Sequence, residues 1–286
     1  MIASRFLGRT WLALVLSLFA AGAIAQAQPA KQDYEPYIGQ EGKDVVWVPS
    51  SSAIVERMLD LAQVTAKDYV MDLGSGDGRT VIAAARRGAR ALGVEYNPDL
   101  VELSKRAAAK EGVSERAQFV KADLFQMNFS DATVITLFLL PDLNIKLRPR
   151  ILDLRPGTRI VSNSFNMGEW KPDQTARVTE KEGCETYCTA HFWIVPAKVD
   201  GIWKLPQGEL KLKQEFQMIS GTLRTGERLT PITNGRLRGD AISFESGGAK
   251  YTGRVVGDAI EGVVSSGGAS RTWSAARGLK PAPARS

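Results

Sequence analysis

The chain has 286 residues, of which 44% are apolar and 24% are charged. A chain of this length can form one large domain or two modest ones, and this composition excludes wholesale disorder. The formal net charge is +6, but no dense stripe of lysine and arginine accompanies it. Nucleic acid is therefore not an expected partner, because proteins that bind it carry a concentrated basic surface.

The first 25 residues differ from the rest and have the features of a secretion signal. Arg5 and Arg9 form a basic start, residues 11–22 form a short apolar run, and Ala23-Ile24-Ala25 has the small-x-small pattern of a signal peptidase site. The apolar run is shorter than the ~20 residues that a membrane-spanning helix needs. We predict a cleaved signal peptide at 1–25, an exported protein that is periplasmic or secreted, and no stable membrane span after cleavage. An uncleaved anchor is the alternative.

Strand and helix patterns alternate through the first half of the chain. A short extended segment at 45–48 and a helix near 53–63 precede apolar strand segments that alternate with helical ones. This rhythm is typical of a parallel sheet covered by helices on both faces. We predict a doubly wound, Rossmann-like α/β domain over residues 45–198. Its predicted elements are strands at 69–73, 91–95, 117–120, 133–139 and 158–162, and helices at 80–87, 98–110 and 144–154, the last kinked or split by Pro149.

Beyond residue 165 the helical pattern gives way to strand-forming composition. Residues 184–196 have β-type composition, and after Gly201 alternating segments are separated by turns such as Gly239-Asp240 and Gly257-Asp258. We predict a small C-terminal antiparallel β domain at 201–279, built as a sheet or half-barrel around Trp203 and Trp273, and a frayed tail after it. Its predicted strands are 209–214, 216–223, 235–244, 250–256, 259–264 and 270–275.

The strongest chemical signal lies between the first strand and first helix of the alternating region. Residues 72–79 contain three glycines in Gly-x-Gly-x-Gly spacing, which lets the backbone turn sharply and approach a ligand closely. Glu95 ends the next strand, where a carboxylate can accept hydrogen bonds from both hydroxyls of a ribose. Asp123 follows the third strand, where it can meet an adenine amino group. Together these residues predict a nucleoside-containing cofactor.

Two classes of cofactor bind at such a turn. A dinucleotide site usually has Gly-x-Gly-x-x-Gly spacing, so that the pyrophosphate reaches the helix N-terminus, but here the third glycine comes one residue early. Asp72 and Asp77 also place negative charge at the turn, which repels pyrophosphate and favours the cationic methionine end of S-adenosylmethionine. We predict S-adenosylmethionine as the cofactor. A nicotinamide dehydrogenase and a glycine-rich turn without a ligand are the less favoured alternatives.

These motifs resemble those of the class I S-adenosylmethionine-dependent methyltransferases. Val48-Pro49 before a helix, together with segments 72–79, 93–98 and 122–125, is similar more narrowly to a group of protein-lysine N-methyltransferases. That group includes the mitochondrial enzymes that modify the c subunit of ATP synthase and the adenine nucleotide translocase. The resemblance extends over residues 45–173 and implies a transferase whose methyl acceptor is a protein lysine. The cofactor-binding residues that it implies are Asp72, Gly74, Ser75, Gly76, Asp77, Gly78, Glu95 and Asp123.

The acceptor site has a weaker signal. The fourth predicted strand ends in Phe138-Leu-Leu-Pro-Asp142, without the Asn/Asp-Pro-Pro-Tyr motif of many enzymes that methylate amino groups. Helix capping, a turn or surface exposure is the favoured interpretation of the polar residues near the strand ends, and core packing that of the aromatic residues, so no catalytic residue is assigned. The candidates for holding an amine or lining its channel are Asp142, Asn144, Asn163, Glu169, Phe165 and Trp170.

The remaining residues with reactive side chains are predicted to be structural. Cys184 and Cys188 would lie about 13 Å apart on one strand. A disulfide needs Cα atoms within about 7 Å, so we predict ordinary strand positions, unless a turn separates them. His191 is the single histidine and is predicted to be a structural strand residue. No metal site is predicted.

Export supports a second hypothesis, because S-adenosylmethionine is made in the cytoplasm. In this alternative the chain is an exported, non-catalytic binding protein that reuses the methyltransferase fold. Its β domain would recognise a ligand or an envelope component. The two hypotheses differ in what they require of Asp72 and Glu95, since only the methyltransferase depends on both side chains.

Overall fold

The computed structural model describes residues 34–278. The predicted signal peptide at 1–25 and the predicted tail after residue 279 lie outside the described residues. Residues from Glu35 onward belong to one compact unit, which contains two β-sheets. Within the described part of the chain, no helix is both long enough and apolar enough to cross a membrane.

The first sheet has seven strands in the order β3-β2-β1-β4-β5-β7-β6. Its central strands are nearly continuous apolar runs, as expected for strands that are buried on both faces. The first five strands are parallel, whereas β7 is antiparallel to both β5 and β6. The strands are β1 Tyr69–Leu73, β2 Arg90–Glu95, β3 Ala117–Lys121, β4 Val134–Leu137, β5 Arg159–Asn163, β6 Gln174–Arg177 and β7 Thr189–Ile194.

Four helices accompany this sheet, and α1 and α3 begin with the predicted side-chain caps. The hydroxyl of Ser51 accepts a hydrogen bond from the Ile54 amide at the start of α1, and the side chain of Asn97 accepts one from the Asp99 amide at the start of α3. Pro98 occupies the first turn of α3, where its missing N–H costs nothing. The helices are α1 Ser52–Leu61, α2 Arg79–Arg86, α3 Pro98–Lys110 and α4 Pro141–Leu152.

The prediction that Pro149 splits the last helix is wrong. Pro149 lies in the last turn of α4, which continues as one helix to Leu152. A proline there removes one backbone hydrogen bond, whereas Leu147 and Ile151 on the same helix are fully buried against the sheet. Burial of these side chains outweighs the missing bond.

The prediction of ordinary strand positions for the two cysteines is also wrong. Strand β7 begins only at Thr189, and residues 184–188 form a bend after the short 3-10 helix Glu180–Glu182. The bend brings the Cα atoms of Cys184 and Cys188 to 5.7 Å, and a disulfide joins the two residues. The 13 Å separation applied to a straight strand, which this segment does not form.

The second sheet closes into an antiparallel barrel, not the half-barrel that the sequence predicts. Eight strands form the ring, because β16 pairs with β8, β8 with β9, and β9 with β10. Strand β11 pairs with β10 beside this ring. The strands are β8 Gly201–Leu205, β9 Gly208–Glu215, β10 Met218–Thr225, β11 Arg228–Pro231, β12 Thr233–Arg238, β13 Ala241–Ser246, β14 Ala249–Val256, β15 Ala259–Ser266 and β16 Ala269–Arg277.

The barrel has three more strands than predicted. Strands β8 and β11 are additional, and the single predicted strand at 235–244 is two strands joined at Gly239-Asp240. Alternation along β9 buries Leu210 and Leu212 inside the barrel and exposes Lys211 between them. Trp203 and Trp273 are both buried, as predicted for the core of this domain.

The barrel packs against the α/β part through a buried contact near β6. The ring of Trp170 lies between those of Trp193 and Phe216, with centroids about 6.1 Å away in each case. The side chain of Asp173 is almost fully buried, pairs with Arg236 at 2.6 Å and accepts a hydrogen bond from the Ile194 amide. Trp170 is therefore a core residue, and its predicted alternative role in an acceptor channel is wrong.

Candidate functional site

The site forms where the parallel strands end. Strand β1 lies between β2 and β4, so the loops after β1, β2, β3, β4 and β5 all meet at one edge of the sheet. Strand β7 runs the opposite way, so the loop before it reaches this same edge. In open parallel sheets, ligands bind in the crevice at this edge.

The glycine turn is tied to the end of β2 by backbone hydrogen bonds. The amides of Gly74 and Ser75 donate to the carbonyl of Val94 at 2.8 and 3.1 Å. The amide of Gly76 donates to Oε2 of Glu95 at 2.9 Å. Gly74 and Gly76 both have positive φ angles, 86° and 54°, which favour glycine. The turn and Glu95 therefore form one rigid unit.

Glu95 also holds the segment that follows it. Its Oε1 accepts a hydrogen bond from the Asn97 amide at 2.9 Å, so each carboxylate oxygen has one backbone partner. A carboxylate has about four acceptor positions. Glu95 can therefore accept further hydrogen bonds, as a ribose would require.

Gly78 has a different role from the other two glycines. It does not line the pocket, although Gly74, Ser75, Gly76 and Asp77 do. A Cβ atom at position 78 would lie 2.7 Å from the ring of Phe119 and 2.8 Å from Cβ of Ser104. Gly78 therefore permits close packing behind the turn.

A segment before α1 forms the outer wall of the pocket. Residues 40–50 cover the glycine turn, and Arg79 donates to the carbonyl of Ser50 at 2.5 Å. Lys43 forms a salt bridge to Oδ2 of Asp123 at 2.7 Å. Sequence analysis missed this wall, because the segment has no regular secondary structure. Its short extended piece at 45–48 is the one feature that could have indicated it.

The carboxylates at this edge differ in their surroundings. Asp77 accepts hydrogen bonds from the guanidinium of Arg79, the shortest at 2.5 Å. The hydrogen bond from Lys43, together with one from the Phe125 amide, lowers the pKa of Asp123. Asp72 is buried, and the only hydrogen bond that its side chain makes within the described residues comes from the Thr136 hydroxyl at 2.6 Å. Burial, and to a smaller extent the charges of Glu95 and Asp77, raises the pKa of Asp72 to about 7.

Three aromatic rings line the other side of the pocket. Phe138 follows β4, Phe165 follows β5, and Tyr187 precedes β7. The ring centroids lie 6.0 Å apart for Phe138 and Phe165, 5.2 Å for Phe138 and Tyr187, and 5.9 Å for Phe165 and Tyr187. We call these three rings the aromatic trio. Of these three rings, only that of Phe165 was predicted to lie near the acceptor.

Known proteins resemble this part of the chain. The ANTKMT methyltransferase domain family matches residues 72–174. A protein-lysine N-methyltransferase of Saccharolobus islandicus is 40% identical over 139 residues, which are 48% of this chain and 86% of the relative. The chain belongs to the family of S-adenosylmethionine-dependent methyltransferases that includes this archaeal enzyme.

Two further comparisons differ in coverage. A lysine N-methyltransferase of Rattus norvegicus, named for the c subunit of ATP synthase, is 36% identical over 130 residues, which are 45% of this chain and 60% of the rat protein. A solved RNA methyltransferase of Salinibacter ruber, in complex with S-adenosyl-L-homocysteine, is 46% identical with a TM-score of 0.49; the match covers 53% of this chain and 96% of that one. The family match at 72–174 lies within the α/β part and ends before the barrel.

The pocket of this methyltransferase fits its cofactor, S-adenosylmethionine. Asp72, Asp77 and Glu95 would disfavour a pyrophosphate, whereas they attract a ligand with cationic ammonium and sulfonium groups. The hydroxyl of Ser75 is buried and has no hydrogen-bond partner among the described residues. It can therefore serve a polar group of a ligand, since a buried hydroxyl without a partner is costly.

The polar residues suggested for holding the acceptor do not line the pocket. Asn144 is buried, where it donates to the carbonyls of Phe165 and Asn166, and Glu169 pairs with Arg148. Asn163 donates to the Ser50 hydroxyl.

His191 contacts Thr175, and partial burial lowers the pKa of its imidazole. Within residues 34–278, no cluster of three His, Cys, Asp or Glu side chains is arranged to hold a metal ion.

We expect Asp72 to destabilise the fold increasingly as pH rises. Its folded pKa of about 7 lies above the ordinary value of 3.8, so ionisation in the folded state is penalised between these two pH values. Asp72→Asn keeps an acceptor for Thr136 and removes this cost. The variant should equal the wild type near pH 4 and exceed its unfolding free energy by up to about 4 kcal/mol at pH 8.

Urea unfolding between pH 4 and pH 8 measures this difference. The control is Asp131→Asn, because the Asp131 side chain is 79% exposed. That variant should show no such pH-dependent gain. A stability difference between Asp72→Asn and wild type that stays constant from pH 4 to pH 8 would contradict a raised pKa for Asp72.

Proposed function

We propose that this methyltransferase transfers a methyl group from S-adenosylmethionine to the side-chain nitrogen of a protein lysine. The observation that carries the proposal is the apolar side of the pocket, where Phe138, Leu140, Leu143 and Phe165 lie beside the glycine turn. The four methylene groups of a lysine side chain can pack on such a surface. The names of the archaeal and rat relatives, which are both lysine N-methyltransferases, support the same acceptor.

We also propose positions for the parts of the cofactor. Glu95 would bind the ribose hydroxyls, and Asp123 the adenine amino group, because both lie at the ends of neighbouring strands β2 and β3. The turn with Asp72, Gly74, Ser75, Gly76 and Asp77 would bind the methionine part over β1. Gly78 would contribute only by letting the turn pack closely. The sulfonium would then lie between β1 and the aromatic trio.

The chemistry requires alignment more than an additional reactive group. When bound, S-adenosylmethionine supplies a methyl group on a sulfonium, which is already electrophilic. The acceptor ammonium must first release a proton to solvent; its nitrogen would then form the C–N bond as the C–S bond breaks, and S-adenosylhomocysteine would leave. The protein contributes by positioning the nitrogen in line with the methyl group and by excluding water. Residues 40–50 and the aromatic trio enclose the pocket from two sides.

We expect Glu95→Gln to weaken S-adenosylmethionine binding about 10- to 100-fold. The reason is that a hydrogen bond to a charged group is worth about 1.5–3 kcal/mol, and the ribose would lose such a bond. Calorimetric titration of the purified full chain measures the dissociation constant. Glu111→Gln is the control, because Glu111 lies on the surface beside Arg86. Equal affinities for Glu95→Gln and wild type would rule out the proposed ribose contact.

We expect lysine to be the acceptor when the full chain is incubated with methyl-labelled S-adenosylmethionine, poly-L-lysine and envelope protein extract. Acid hydrolysis followed by mass spectrometry should detect Nε-methyllysine. Poly-L-arginine controls for nonspecific labelling of a basic polymer. Glu95→Gln should reduce labelling at least tenfold when the cofactor is below saturation.

The distribution of label decides between acceptor classes. Label that is released by nuclease, or label on an amino acid other than lysine, would overturn the lysine proposal while leaving the methyltransferase assignment intact. The same holds if neither the polymer nor the extract yields Nε-methyllysine. The rival function, a non-catalytic binding protein, predicts no methyl transfer to any acceptor.

We propose, in addition, that the protein is exported. The features of residues 1–25 support this, and so does the Cys184–Cys188 disulfide, because disulfides persist mainly in oxidising compartments. N-terminal sequencing of the protein recovered from its native host should find Gln26 as the first residue. A chain that starts at Met1 and has reduced cysteines would argue for a cytoplasmic location.

A further inference from the structure

The loop before β7 combines a disulfide with an unusual backbone conformation. Cys184 and Cys188 enclose only three residues, and the last of these, Tyr187, has a φ of 56°. A bulky residue rarely adopts this left-handed conformation, because its Cβ atom comes too close to the backbone. Such strain persists only where the surrounding structure enforces it, and it concentrates at functional sites.

Both ends of this loop are fixed to the body of the protein. Cys184 is buried in the same core cluster as Ile54 of α1, and its amide donates to the Thr179 carbonyl at 3.2 Å. At the other end, the Cys188 carbonyl accepts a hydrogen bond from the Val178 amide at 2.8 Å. The disulfide closes the loop between these two anchors. Tyr187 is therefore presented to the pocket by a short, crosslinked loop.

The strain at Tyr187 serves no core packing. Its side chain is 44% exposed, yet its ring makes an edge contact with Phe138 and a tilted contact with Phe165. A hydrophobic core would bury this ring, but here it forms an open wall of the pocket. The conformation that the disulfide loop enforces thus places an accessible aromatic face beside two others.

The aromatic trio is free of protein cations. Six other rings in the described part of the chain each have a lysine or arginine over them, but no such contact involves Phe138, Phe165 or Tyr187. Aromatic faces attract alkylammonium groups through the negative potential of the ring. Three rings that converge within about 6 Å, without an internal cation, can receive one from a ligand.

The position of the trio relative to the cofactor residues matches this role. Glu95 ends β2 and Asp123 follows β3, whereas the trio flanks β4, β5 and β7 on the opposite side of the glycine turn after β1. During transfer, positive charge moves from the cofactor sulfur to the acceptor nitrogen. The trio lies on the side where that charge would arrive.

From this geometry we infer that Tyr187 is a specificity-determining residue of the acceptor site, and that the Cys184–Cys188 disulfide holds it there. The inference rests on the proposed lysine acceptor and assigns its amine to the aromatic trio. The ring of Tyr187 recognises the alkylammonium group, whereas its hydroxyl is dispensable. The disulfide acts through Tyr187 as a positioning element and does not contribute to cofactor binding.

A pair of small probes tests the recognition step in the presence of saturating S-adenosylhomocysteine. One probe is N-acetyl-trimethyllysine methylamide, and the other is its neutral analogue with carbon in place of the side-chain nitrogen. Calorimetry or ligand-observed NMR measures both affinities. The wild type should prefer the cationic probe about fivefold, which corresponds to a cation–π contribution of about 1 kcal/mol.

The variants separate the ring, the hydroxyl and the disulfide. Tyr187→Phe should keep the preference, whereas Tyr187→Leu should lose it. A Cys184→Ser/Cys188→Ser double variant should behave like Tyr187→Leu toward the probes. All three should bind S-adenosylhomocysteine with unchanged affinity, because its neutral sulfur has no cation–π contact to lose; this measurement also verifies folding. In the methylation assay, Tyr187→Leu should raise the acceptor KM more than it lowers kcat.

The outcomes distinguish this inference from the proposed function. If the wild type prefers neither probe, or if Tyr187→Leu keeps both the preference and the acceptor KM, the inference is overturned even when Nε-methyllysine forms. If the probes behave as expected but no lysine is methylated, the lysine proposal fails while a cation site at the trio stands. Loss of cofactor binding in the double serine variant would overturn the positioning role of the disulfide.

Discussion

The site depends on the parallel pairing of β1 with β2 on one side and β4 on the other. This register places Leu73 beside Val94 and Leu137, so the three strands end at one level. The glycine turn can then donate to the carbonyl of Val94 and to the carboxylate of Glu95. A shift in the register of β2 would separate Glu95 from the turn and dismantle the cofactor side of the pocket.

The same edge creates an electrostatic asymmetry across the pocket. Carboxylates occupy the side of β1, β2 and β3, and aromatic rings occupy the side of β4, β5 and β7. Lys43 and Arg79 offset Asp123 and Asp77, but Asp72 remains buried, and within residues 34–278 only the Thr136 hydroxyl donates a hydrogen bond to its side chain. A cationic cofactor relieves the repulsion among these carboxylates, since a nearby positive charge favours their ionised forms. In the arrangement that we propose, methyl transfer would move positive charge from the carboxylate side toward the aromatic side.

Local patterns were sufficient to predict where Glu95 and Asp123 lie in the fold. Glu95 and Asp123 were expected at strand ends because apolar runs and glycine turns are read from adjacent residues. The wall at 40–50 and the disulfide loop were not predicted, because their positions depend on contacts such as Lys43 with Asp123, 80 residues apart. Closure of the barrel was not predicted for the same reason. Alternation indicated the strands, whereas the pairing of β8 with β16 joins the two ends of the domain.

The barrel also stabilises β6 and β7, the two outer strands on one side of the first sheet. It buries Trp170 and Asp173 just before β6, the strand that pairs with β7. Because β7 begins directly after the disulfide loop, this packing supports the strand from which Tyr187 is presented. The glycine-rich second domain therefore has a structural connection to the pocket, although it contributes no residue to its lining.

The most direct measurement is a crystal structure of the protein with S-adenosylhomocysteine and N-acetyl-lysine methylamide. Our account predicts ribose hydroxyls at Glu95, adenine beside Asp123, and the cofactor sulfur directed toward the lysine nitrogen among Phe138, Phe165 and Tyr187. A cofactor bound elsewhere, or a sulfur directed away from the three rings with the lysine outside them, would contradict the arrangement that we describe.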